Sequence, residues 1–161
     1  MTIPRLFDLD PETKLAVEHV CDIAVDLAQP LVFPTPIGHR RTVIATGGIV
    51  SGQLVGEMLA AGGDWIVVGA DGVARMDIRQ TIRTNDGALI HYAARGIIRL
   101  PADGRERVAR GELIPFAESY IHTTPRFETS DERYTWLNKQ VYITVGEYSP
   151  NHIDHRVYRI L

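Results

Sequence analysis

The chain is nearly devoid of cysteine: Cys21 is the one thiol in 161 residues. An internal disulfide is therefore excluded, as expected for a reducing compartment. Also missing is any apolar run approaching the roughly 20 residues needed to span a bilayer. Met1–Asp10 carries a single basic residue and no continuous apolar stretch, so it lacks the pattern of a secretory signal. These absences predict a cytoplasmic protein with no membrane partner. Positive charge is not in excess either. Lys and Arg total 17 against 20 Asp and Glu, a formal net charge of −3. No global basic field is present to draw nucleic acid.

The familiar site patterns are absent as well. No Cys/His framework of zinc type occurs. His152 and His155 are three apart and would point to opposite faces of a strand, which argues against a metal clamp. Neither G-x-x-x-x-G-K-[ST] nor G-x-G-x-x-G appears, so a nucleotide site has no support. Ser51 and Ser119 lack a G-x-S-x-G context. The expectation is a protein that works without metal or cofactor.

What the sequence does contain is alternation of apolar and polar residues, the mark of half-buried strands. It runs from Leu15 to Leu27, where Val17, His19, Cys21, Ile23, Val25 and Leu27 share a face, so Cys21 reads as a buried structural residue. A Pro-rich connection, Pro30–Pro36, follows. Further strands are predicted over Arg40–Val50, Gln53–Leu59, Asp64–Val68, Val73–Thr84 and Ala88–Ile98. Glu118–Phe127, Tyr134–Tyr148 and His152–Leu161 complete the set. Asp71-Gly72 and Asn85-Asp86-Gly87 have the composition of type I′ hairpin turns. One short helix is predicted over Asp103–Gly111, with Gly111 as its C-cap. Consecutive strands on short turns make an up-and-down antiparallel sheet, and closing it removes the exposed edges. The predicted fold is an all-β, closed antiparallel barrel of about eight strands with one short helix. It occupies residues 1–161 as a single domain, of which 1–13 form an N-terminal arm. Its outward apolar residues favour a homodimer.

Several polar side chains could serve a lumen. On Val73–Thr84, Asp77 and Arg79 share a face and could form a charge-assisted pair. That face either lines the lumen or is solvated. His91 and Tyr92 fall on opposite faces of the next strand. Tyr120, His122 and Thr124 share a face, and His122 is a general acid/base candidate because an imidazole titrates near working pH. Read as a strand, Tyr134–Tyr142 puts Tyr134, Trp136 and Asn138 together, as the wall of a pocket for an aromatic ligand would require.

The segments Thr46–Gly52, Gly62-Gly-Asp-Trp65, Asp77-Ile-Arg79, Asp86–Ile90, Thr124–Thr129 and Tyr134–Asn138, in this order and spacing, resemble the DUF3237 family, also called UPF0311. The resemblance extends from Val17 to Tyr158. It implies a barrel of the lipocalin-like or allene-oxide-cyclase-like kind, in a family of unknown function found mostly in bacteria and fungi. It also implies that the Asp-x-Arg pair, Asp77 and Arg79, faces the lumen, and that Trp136 and Asn138 belong to the family pattern. His122 departs from it, since Arg is frequent there. The resulting expectation is a cofactor-independent lyase, isomerase, dehydratase or cyclase. It would act on a largely apolar or aromatic, oxygen-bearing small molecule. Asp77, Arg79 and His122 would be catalytic, and Tyr92, Tyr120, Thr124, Tyr134, Trp136 and Asn138 would bind substrate. The alternative is a small-molecule binding protein without turnover.

Overall fold

The structure is a computed structural model and describes residues 12–161. Most of the N-terminal arm therefore lies outside the described residues. Among the described residues ten strands follow one another: β1 (Val17–Leu27), β2 (Leu31–Thr35), β3 (Gly38–Gly52), β4 (Gly56–Met58), β5 (Gly63–Val68), β6 (Ala74–Thr84), β7 (Leu89–Arg99), β8 (Tyr120–Glu128), β9 (Tyr142–Ser149) and β10 (His152–Ile160). One helix, α1 (Gly104–Ala109), joins β7 to β8. All pairings are antiparallel, and β1 is bonded both to β10 and to β3. The sheet thus closes into a barrel of eight staves. β4 and β5 together make one of them, because both pair β3 on one side and β6 on the other. β2 adds a hairpin arm on β3.

The alternation that defines the strands also sorts their faces. In β6, Met76, Ile78, Gln80, Ile82 and Thr84 are buried, while Arg75, Arg79 and Arg83 are exposed. Cys21 is fully buried, as its apolar row implies. The end of the barrel near the β6–β7 turn is filled by apolar side chains. There Val20, Leu54, Ile82, Ile90 and Leu137 lose all or nearly all their exposure. Tyr92, Phe127 and Tyr142 continue this plug edge to face, with centroids 5.3 and 4.9 Å apart. Each such buried side chain contributes about 1.5–3 kcal/mol of transfer free energy. The opposite end stays open.

Three local expectations need correction. The Pro-rich segment contains a strand: Pro34 fits β2 because β2 pairs on one side only, so its missing N–H costs no ladder bond. Tyr134–Tyr148 is not one strand. Thr135–Lys139 forms a 3₁₀ turn, and β9 begins only at Tyr142. Both hairpin turns have the wrong hand for type I′, which needs positive φ at two residues. Only Gly72 (φ 75°) and Gly87 (φ 90°) are left-handed, so each loop is a type I turn closed by a glycine bulge. The helix ends as expected, with Gly111 at φ 89°.

Candidate functional site

A cavity of about 320 Å³ occupies the open half of the barrel. Its walls are mostly apolar, with Ile23, Val43, Met58, Ile66, Ile78 and Ile153 among them. Five side chains on five different strands bring polar atoms to it: Arg41, Asp64, Gln80, Tyr92 and His155. Leu100, Pro101 and Ala102, from the segment entering α1, and Arg105 of α1 itself stand at its mouth.

Asp64 owes its position to a pinch in the backbone. A Cβ on Gly62 would collide with the Arg79 carbonyl, and one on Gly63 with the Val43 carbonyl, so β3 and β6 close tightly just ahead of it. Beyond it the β5–β6 ladder is interrupted between the pairs Asp64↔Ile78 and Val67↔Arg75. The freed backbone N–H of Asp77 donates to Asp64 Oδ1 at 2.9 Å. Although the residue as a whole is only half-buried, its carboxyl lies inside the wall. Burial pushes its pKa up to about 7, the Asp77 N–H bond opposes this, and the Asp77 charge adds to the rise.

Four buried side-chain atoms lack a hydrogen-bond partner among the described residues: Arg41 Nε, Gln80 Oε1, Tyr92 OH and His155 Nε2. All four belong to residues that line this cavity. Buried polar groups are normally satisfied, so these four atoms are free to bond whatever occupies the chamber. His155 is held from behind. Thr144 Oγ1 lies 3.4 Å from its Nδ1 and 2.7 Å from Thr123 Oγ1, and it accepts the Thr123 N–H at 3.1 Å. Burial lowers the His155 pKa to about 4, so the ring is neutral near pH 7. Burial drives the Tyr92 phenol upward, so Tyr92 is a neutral hydroxyl.

Of the side chains singled out in the sequence, Tyr92 faces the chamber, and the others do not line it. Asp77 and Arg79 sit on the outer face of β6, with Arg79 Nη2 3.3 Å from Asp77 Oδ1. The expected lumenal pair is therefore a surface pair, because barrel closure turns the apolar row of β6 inward. His122 also points outward. Its Nδ1 lies 2.9 Å from the Thr144 carbonyl, and its ring packs edge-on to Tyr120 at 4.4 Å between centroids. Tyr120 and Thr124 are exposed on the same outer face. The Tyr134 hydroxyl donates to Asp86, and Trp136 packs against the core beneath the 3₁₀ turn. Asn138 receives the Thr129 N–H and donates to the Thr129 carbonyl, at 3.0 and 2.7 Å. The last three brace the closed end. Arg41, Asp64, Gln80 and His155 are lumenal residues that the sequence alone does not single out for the site. Gln80 and His155 had a visible signal, each being a polar residue within an apolar row.

The model of the family described as "Protein of unknown function (DUF3237)" matches residues 15–160. A UPF0311 protein of Clostridium acetobutylicum is 28% identical over 156 residues, covering 95% of this chain and 99% of that protein. A crystal structure described as a beta-barrel like protein from Acinetobacter baumannii superposes with a TM-score of 0.79 at 30% identity, covering 92% of this chain and 98% of that one. The crystal structure of an enzyme from Penicillium herquei shares the fold, with a TM-score of 0.69 at 21% identity and coverage of 94% and 98%.

Proposed function

Because the chain belongs to the DUF3237 family, whose barrel it shares, we propose that it is an enzyme whose own side chains perform acid/base chemistry on a small molecule held in the lumen. The observation that carries this is Asp64. A carboxyl whose pKa lies at about 7 divides its population between acid and base at neutral pH. That balance is what proton transfer in both directions needs. The surface pair Asp77–Arg79 and the outward His122 are far less suited to the role, since neither borders the enclosed space.

In this reading the substrate has a largely apolar body and at least one oxygen. The apolar walls exclude water and strengthen each polar contact inside. Gln80 Oε1 accepts a hydrogen bond from a substrate hydroxyl, Tyr92 donates to a substrate oxygen, and the neutral His155 presents Nε2 from the opposite wall. Asp64 delivers or removes the proton. Lyase, isomerase, dehydratase and cyclase steps all fit a site of this kind, because each moves protons with no net redox change. Asp77 is a positioning residue here: its backbone N–H holds the Asp64 carboxyl, and its charge, outside the chamber, helps to keep that carboxyl protonated.

The experiment is native mass spectrometry of the purified protein for a retained small molecule, followed by turnover assays on that compound and its analogues. Asp64→Asn is expected to keep binding and lose about 10²–10⁴-fold in rate. Unchanged turnover by that variant would refute the assignment. Binding without conversion by the wild type would leave the alternative, a carrier protein, in possession of the same chamber.

A further inference from the structure

We propose that the natural ligand is an organic monocarboxylate, with its carboxylate held at the chamber mouth by Arg41 and Arg105 and its apolar body directed inward. This rests on the lumen being the ligand chamber, as in the function proposed above, and adds the chemical class of the ligand.

Charge pairing is the first support. Arginines on the outer surface of this barrel are widely neutralised: Arg75 by Asp71, Arg83 by Glu57, Arg133 by Asp131 and Arg156 by Asp22. The two arginines that line the chamber have no carboxylate within ion-pair distance among the described residues. Arg41 goes further, because its Nε is buried without any hydrogen-bond partner. A buried guanidinium N–H with no acceptor costs about 1–3 kcal/mol, which a bound anion would relieve.

The charge balance of the lining is the second support. Arg41 and Arg105 supply two positive charges, and Asp64 is the sole carboxylate among the lining residues. Its high pKa leaves it only partly ionised at neutral pH, and His155 is neutral there. The chamber is thus net positive inside a chain whose formal charge is −3. A planar carboxylate matches the guanidinium fork. A phosphate is less well served, because α1 has only six residues and offers no N-terminal anion site. Beyond the arginines the walls turn apolar, so the remainder of the ligand must be apolar until it reaches Asp64, Gln80 and Tyr92.

The test is calorimetric titration of the whole protein with 4-phenylbutyrate, 4-phenylbutyramide and phenyl phosphate. The proteins are the wild type, Arg41→Gln, Arg105→Gln, the double variant and the outer-face control Arg126→Gln. The acid is expected to bind at least about tenfold more tightly than the amide, as charge-assisted bonds require. That preference should fall in at least one single variant and vanish in the double variant, while Arg126→Gln keeps it. Arg105 is exposed, so Arg105→Gln tests the idea even where Arg41→Gln does not fold. Equal affinity for acid and amide would overturn it. So would a preference unchanged in the double variant, tighter binding of phenyl phosphate, or no binding of the acid. Failure here is separable from failure of the acid/base assignment, since Asp64→Asn tests turnover and the arginine variants test the charge preference.

Discussion

The backbone N–H of Asp77, a residue on the outer face of β6, donates to the carboxylate of Asp64, which lines the lumen, at 2.9 Å. The bond crosses the barrel wall where the β5–β6 ladder is interrupted. It joins a surface charge to the ionisation of an interior acid. Burial dominates the raised pKa of Asp64, and the Asp77 charge adds to it.

Asp77→Asn should therefore lower the Asp64 pKa from about 7 without touching the chamber. The backbone donor survives, so the carboxyl stays in place. The predicted result is a pH–rate profile displaced to lower pH with substrate affinity unchanged. A profile identical to the wild type would show that Asp77 exerts no field on the site.

Asp64 also makes stability pH-dependent. Its folded value of about 7 lies above the ordinary 3.8, so the folded state holds the proton more tightly than the unfolded chain. Stability from this group is complete below pH 4 and is lost as pH rises through 7. The full span is roughly 4 kcal/mol at about 1.4 kcal/mol per pKa unit. Asp64→Asn should accordingly raise the melting temperature at pH 8 relative to wild type and leave it little changed at pH 4. Thermal melts at the two values check this.

His155 acts in the opposite sense. Its folded value of about 4 lies below the ordinary 6.5, so stability is present above 6.5 and lost as pH falls through 4. In the wild type the two trends overlap between pH 4 and 6.5 and partly cancel. Replacing His155 by Gln should expose the Asp64 trend alone, as a stability that declines steadily with rising pH. Denaturant titrations across this range would show it, and a curve parallel to wild type would exclude a buried neutral His155.

His122→Ala should change turnover by no more than about twofold, while costing about 1 kcal/mol through the lost bond to the Thr144 carbonyl. A loss of activity of a hundredfold, with the fold intact by circular dichroism, would return the chemistry to the outer face of β8.

The barrel was legible because alternation is local: β1, β6, β7, β8 and β10 lie within a few residues of their expected bounds. The interior was not, because alternation separates two faces without saying which one closure turns inward. On β6, one face offered Asp77 with Arg79, and the other offered a lone Gln80 among apolar residues. Burial favours the second for the lumen, since one orphaned amide costs less to enclose than several charges. Tyr92 lines the chamber as a neighbour of Gln80 in the β6–β7 ladder. Asp64 was hidden for another reason. Its setting depends on an interrupted stave and on contacts between β3, β5 and β6 that no local pattern encodes. Trp136 and Asn138 shared a face only on the assumption of a strand, and the 3₁₀ turn removes that premise.

The central claim is that Asp64 is a proton-transferring carboxyl inside the lumen. Carbon-13 NMR titration of the aspartate side-chain carboxyls tests it without knowledge of the substrate. The account predicts one resonance titrating near pH 7 that is absent in Asp64→Asn. An Asp64 resonance titrating at about 4, the ordinary aspartate value, would contradict it.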